Sequence, residues 1–109
     1  MSEVITPKEA FRRIQERRDL QDPAIIDVRT PREYLAGHIP GSVNLDYYSS
    51  IFLDSLRALD KDKSYIIYCR AGVRSRRALD AMSGLGFKEA CHIKGGINQW
   101  RTEGLPITR

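Results

Sequence analysis

One cysteine in this chain keeps chemically suggestive company. Cys69 closes the apolar run "SYIIYC" (Ser64–Cys69), and "RAGVRSRRALD" follows it. A strand that hands over to a helix here would put Cys69 at the strand's carboxyl end, where open α/β sheets bind ligands. The first turn of the helix carries unpaired N–H groups and the positive end of the macrodipole. A short loop curled around Cys69 would aim several of those N–H groups at one point and form an anion cradle. Gly72 permits the backbone angles of such a curl. Arg70 and Arg74 add positive charge, and a guanidinium fork suits an oxyanion. Ser75 is placed to cap the helix or support the loop.

All of these features favour thiolate over thiol. A nucleophilic sulfur of this kind needs no separate base. The same loop stabilises the negative charge on whatever the sulfur takes up. The competing reading is a structural Cys ending a buried strand, since free Cys is often buried. Two adjacent cations and a glycine would serve no purpose there.

Spacing then separates sulfur chemistry from phosphorus chemistry. Four residues, "RAGV", lie between Cys69 and Arg74. Protein tyrosine phosphatases place one more residue in that interval, so that the loop encircles a tetrahedral phosphate. The ring here is smaller and suits a compact group, such as one extra sulfur on Cys69. Tyr68, not His, precedes the cysteine.

The elements that must position this loop follow from patterning. Thr6, Pro7 and Glu9 form a helix start, and that helix is expected to reach about Arg18. "AIIDV" (Ala24–Val28) is a continuous apolar run after Pro23, as expected of a strand buried on both faces. Thr30, Pro31 and Glu33 start a short helix that stops at Gly37. "SVNL" (Ser42–Leu45) predicts a strand, residues 50–59 a helix, and "SYIIYC" the clearest strand. "RSRRALDAMSGLG" predicts a helix, "ACHI" (Ala90–Ile93) a strand, and "GGINQWRTEG" a final helical turn or two. Such alternation implies an α/β fold, a mostly parallel sheet of about five strands with helices on both faces.

Composition sets the bounds. The chain has 109 residues, 41% hydrophobic and 29% charged, which predicts one domain over residues 1–109 with one apolar core. No apolar run approaches the ~18 residues of a membrane span. The start of the chain shows no signal-peptide pattern, so the expected location is cytoplasmic. Two cysteines are too few for a disulfide framework. With no CxxC pair, and His38 and His92 far apart, no metal or other cofactor is expected. A net charge of +4 favours anionic partners. The basic run "RRIQERR" carries Glu16 within it and reads as a solvated helix face. No nucleic-acid motif accompanies it, and no nucleic-acid or membrane partner is expected.

Three stretches together resemble the rhodanese family of single-domain sulfurtransferases. "IIDVRTPREYLAGHIPGSVNL" (Ile25–Leu45) looks like the family's first signature, "YIIYCRAGVRSRRA" like its active-site segment, and "IKGGINQWRTEGLPI" like its C-terminal Gly-Gly…Trp signature. They occur in the family's order and spacing and cover nearly the whole chain. Ser42 stands where the family often has Ala. The resemblance implies a rhodanese-like domain and transfer of a sulfane sulfur from thiosulfate or a persulfide donor. Cys69 would form a persulfide and pass its sulfur to cyanide, a small thiol or a protein acceptor. Cys69 would carry catalysis, and Arg70, Ala71, Gly72, Val73 and Arg74 would form the substrate loop.

Two other functions stay open at this point. One is a sulfur-carrier or regulatory binding module with little activity on thiosulfate. The other is a phosphatase-like or arsenate-reducing enzyme, which the short loop disfavours.

The remaining polar residues read as scaffold. Asp27 and Arg29 are expected to pair and lock a strand end. Glu33 is expected to cap its helix and His38 to bond backbone. Cys91 and Trp100 should pack in the core, with a resolving thiol as the minority role for Cys91. Gly95 and Gly96 should permit close chain approach.

Overall fold

The computed structural model describes residues 3–16 and 23–109. Among these residues, five strands alternate with five helices in chain order. They are β1 (Glu3–Ile5), α1 (Pro7–Glu16), β2 (Ala24–Asp27), α2 (Pro31–Leu35) and β3 (Val43–Asn44). Then follow α3 (Phe52–Arg57), β4 (Ser64–Tyr68), α4 (Val73–Gly84), β5 (Glu89–Ile93) and α5 (Gly96–Thr102). The end of α1 expected near Arg18 lies outside the described residues.

The sheet order is β1-β5-β4-β2-β3, and every pairing within it is parallel. β4 and β2 occupy interior positions, which explains why their sequences are continuously apolar and not alternating. Side chains leave the two faces in turn. Ile66 and Tyr68 join Ile25, Ile93 and Trp100 on one face, with Ala10 of α1 and Ile97 of α5. Tyr65, Ile67 and Cys69 join Ile26, Leu79 and Met82 on the other, with Phe52 and Leu56 of α3. Cys69 thus projects toward α3 and α4.

Local chemistry sets the helix starts. Thr30 Oγ1 accepts from the Glu33 amide at 3.3 Å, and a Glu33 carboxylate oxygen accepts from the Thr30 amide at 3.0 Å, with Pro31 in the first turn. This is the expected capping box. At α1, Thr6 Oγ1 accepts from the Glu9 amide at 3.1 Å, while the Glu9 carboxylate is engaged by Arg12 and Arg13. α3 is shorter than residues 50–59, and Ile51 at its cap offers no side-chain acceptor.

The scaffold residues fall as expected. Arg29 pairs with Asp27 through Nη2–Oδ2 at 2.7 Å, both buried, and the same Nη2 donates to the Gly37 carbonyl at 2.7 Å. The end of β2 is thereby tied to the chain beyond α2. His38 Nδ1 lies 2.9 Å from the Tyr34 carbonyl, and its ring stacks on Tyr34 at 3.8 Å. Trp100 is fully buried, edge-on to Phe11, and its Nε1–H donates to the Pro106 carbonyl at 2.7 Å. Burying such a side chain contributes about 3 kcal/mol.

Candidate active site

β4 ends at Tyr68, and the six residues Cys69–Arg74 carry the chain into α4. The loop begins where the ladder stops, because α5 takes over its carbonyls. The Cys69 carbonyl accepts from the Ile97 amide at 2.9 Å, and the Arg70 carbonyl from the Asn98 amide at 3.1 Å. In a planar trans peptide the N–H points opposite to the C=O. The N–H groups of Arg70 and Ala71 are therefore directed away from α5.

Two glycines make this approach possible. Gly96 has φ +59°, and a Cβ there would stand 2.5 Å from the carbonyl oxygens of both Cys69 and Arg70. Gly72 has φ +111° at the cap of α4 and closes the curl. Its N–H donates to Cys69 Sγ at 3.1 Å. Cys69 itself is 1% exposed, so its sulfur forms the floor of the loop. Arg70, Ala71 and Val73 are exposed on the rim.

Arg74 does more than supply charge to the loop. Its two Nη atoms grip the two Glu33 carboxylate oxygens at 2.8 and 3.0 Å, and its guanidinium lies 5.7 Å from the Tyr48 ring centre. The fork is a two-pronged ion pair between α2 and the loop. The Arg74 hydrogen bonds hold the Glu33 carboxyl down at about 2, against partial burial. Glu33 thus serves its own helix start and the far end of the loop together.

Ser75 is fully buried and supports the sulfur. Its Oγ lies 3.5 Å from Cys69 Sγ, 3.3 Å from the Gly72 carbonyl and 3.0 Å from His92 Nδ1. His92 is itself buried, and burial lowers its pKa.

Sequence reasoning missed the Glu33–Arg74 link and the place of His92. The capping box already accounted for Glu33, and nothing in the spacing of His92 points at a loop in another segment. Cys91 lies in the hydrophobic cluster opposite that of Cys69, and both thiols are free. Burial pushes the Cys91 thiol up to about 11. No cluster of His, Cys, Asp or Glu among the described residues could hold a metal ion.

A strand-loop-helix unit whose main chain donates to a cysteine sulfur, on an all-parallel five-stranded sheet, defines the class. The family model for the Rhodanese-like domain matches residues 6–103, and the chain belongs to that family. It is 34% identical over 89 residues to a sulfurtransferase of Allochromatium vinosum, covering 82% of this chain and 81% of that protein. It is 37% identical over 82 residues to the thiosulfate sulfurtransferase GlpE of Pseudomonas syringae, covering 75% and 76%. Among solved structures, a rhodanese-related protein of Thermoplasma volcanium superposes with a TM-score of 0.81 at 29% identity, covering 97% of each chain.

Proposed function

We propose that the protein is a sulfurtransferase that carries a sulfane sulfur on Cys69, with thiosulfate as a competent donor. The observation that carries this reading is the Gly72 N–H aimed at Cys69 Sγ at 3.1 Å inside the short loop. A main-chain donor at that distance stabilises negative charge on sulfur. The deep seat of Cys69 suits a slim donor whose outer sulfur can reach the loop floor.

In the first half-reaction the Cys69 thiolate attacks the outer sulfur of thiosulfate. A new S–S bond forms, the S–S bond of thiosulfate breaks, and sulfite leaves with the electron pair. Arg70, Ala71, Gly72, Val73 and Arg74 surround the resulting persulfide, with the loop amides facing its terminal sulfur. In the second half-reaction a thiophilic acceptor, such as cyanide or a small or protein thiol, attacks that sulfur and releases the Cys69 thiolate. Arg70, exposed on the rim, draws the anionic donor toward the loop. Free cysteines suit a reducing compartment, and we place the reaction in the cytoplasm.

Thiocyanate formation from thiosulfate and cyanide tests the reading. The wild-type protein should turn over and Cys69→Ser should not. Equal turnover in the two would remove Cys69 from the chemistry.

A further inference from the structure

Beside the loop, on the α4 face of the sheet, lies a groove of about 700 Å³, part of whose wall is the loop's own Ala71, Gly72 and Val73. His92 forms part of its wall, together with Val4, Arg76, Arg77, Asp80 and Lys94. Cys69 does not line it. The groove runs up to the exposed rim of the loop.

His92 connects the two. It is 8% exposed and its Nδ1 is 3.0 Å from Ser75 Oγ, which is 3.5 Å from Cys69 Sγ. Nε2 has no hydrogen-bond partner among the described residues. Buried polar groups are normally satisfied, so an open ring nitrogen at a groove wall calls for an occupant such as water. We propose that Ser75 and His92 form a proton relay that ionises Cys69 into this groove and holds the hydroxyl of Ser75 toward the sulfur. The proposal rests on the reading of Cys69 as the nucleophile.

The proton count closes without charging the imidazole. In the thiol state Cys69 S–H donates to Ser75 Oγ, and the single Ser75 proton is directed to His92 Nδ1 at 3.0 Å in preference to the Gly72 carbonyl at 3.3 Å. On ionisation the thiol proton passes to Ser75, the Ser75 proton passes to Nδ1, and the Nε2 proton leaves to water in the groove. The histidine is neutral before and after, having exchanged one tautomer for the other. Nδ1–H now donates to Ser75, and Ser75 donates to the thiolate. Neither an oxidant nor a metal is required.

The surroundings keep His92 in the neutral form this scheme needs. Val4 and Ile67 are its register partners on β1 and β4 and carry no charge. From α4, Arg76 disfavours an added positive charge and Asp80 partly offsets it, while burial acts in the same direction as Arg76. Arg77 on α4 and Lys94 after β5 are the other cations of the groove wall.

The test is the pH dependence of Cys69 alkylation by iodoacetamide, read on the Cys69 peptide by mass spectrometry. His92→Gln draws the amide away from Ser75, and Ser75→Ala removes the hydroxyl. Each should slow alkylation near neutral pH by about tenfold, through an upward shift of about one unit in the midpoint, with the alkaline plateau unchanged. The double variant should be no slower than either single one, as for residues acting in series. An unshifted His92→Gln profile or additive effects would overturn the proposal.

A second measurement needs no change at position 92. Imidazole ¹⁵N shifts should show His92 passing from the Nε2–H to the Nδ1–H tautomer as Cys69 ionises, and the change should vanish in Cys69→Ala. A tautomer indifferent to Cys69 also overturns it. Both readouts omit a sulfur donor. A relay that stands while sulfur transfer fails would condemn the proposed reaction alone.

Discussion

Gly96 presses against the carbonyl of Cys69 so closely that a Cβ would lie 2.5 Å from the oxygen. The contact orients the first peptides of the loop, because the Ile97 and Asn98 amides can reach those carbonyls only from this distance. Gly96→Ala must displace backbone and occupy positive φ. It should cost about 2–4 kcal/mol in urea unfolding. Cys69 alkylation should lose its neutral-pH component even where the chain remains folded. An alanine variant of wild-type stability and reactivity would show that the glycine contact does not shape the loop.

Arg74 and Glu33 lie 41 residues apart and bind through both oxygens. Arg74→Ala and Glu33→Gln should each lower sulfur transfer by about tenfold to a hundredfold, the scale of a misplaced reacting group. Since they break one contact, combining them should add little. The measurement is kcat/KM for thiocyanate formation in the two single variants and the double. Multiplying effects would mean that Arg74 acts directly on the donor and not by anchoring the loop to α2.

Acid should weaken the fold in two stages. His92 has a lowered folded pKa, so the unfolded chain takes up its proton first, and stability falls as pH drops below about 6.5. Glu33 is held at about 2 against an ordinary 4.5. Its contribution is fully present above 4.5 and is lost as pH falls from there toward about 2. Partial exposure screens this term, leaving roughly 1–2 kcal/mol. Denaturant midpoints measured across this range should show the lower stage shrink in Glu33→Gln, with Glu9 held down by Arg12 and Arg13 supplying the remainder, and the upper one disappear in His92→Gln.

Tyr68 ends β4 with its hydroxyl buried, accepting from the Ile39 amide at 3.0 Å and lying 3.1 Å from Ser42 Oγ. The serine that departs from the family's usual alanine is thus matched by a hydroxyl partner. Tyr68→Phe leaves the Ile39 N–H without an acceptor. It should cost about 1–3 kcal/mol in denaturant unfolding. A cost of that size should largely vanish if water replaces the hydroxyl, which a crystal structure of the variant would reveal.

Local signals in the sequence located most of the frame. The capping box at Thr30, the apolar runs of β2 and β4, and the glycines at 72, 95 and 96 each state a backbone requirement on their own. The alternation they create implied the parallel sheet. β3 contracted to Val43–Asn44, because two residues suffice to pair with the end of β2. What stayed hidden is tertiary. Glu33 had a complete local explanation, so nothing announced its second partner. His92 meets Ser75 only because the parallel β4–β5 register sets it beside Ile67, next to the start of α4. No spacing rule encodes that juxtaposition.

The persulfide on Cys69 is the centre of this account, and intact-protein mass spectrometry tests it most directly. After incubation with thiosulfate and removal of excess donor, the wild-type protein should gain the mass of one sulfur atom, mapped to the Cys69 peptide. Cyanide should then remove it with stoichiometric release of thiocyanate. A wild-type protein that takes up no sulfur from thiosulfate or from a persulfide donor, or takes it up equally as Cys69→Ser, would contradict the account.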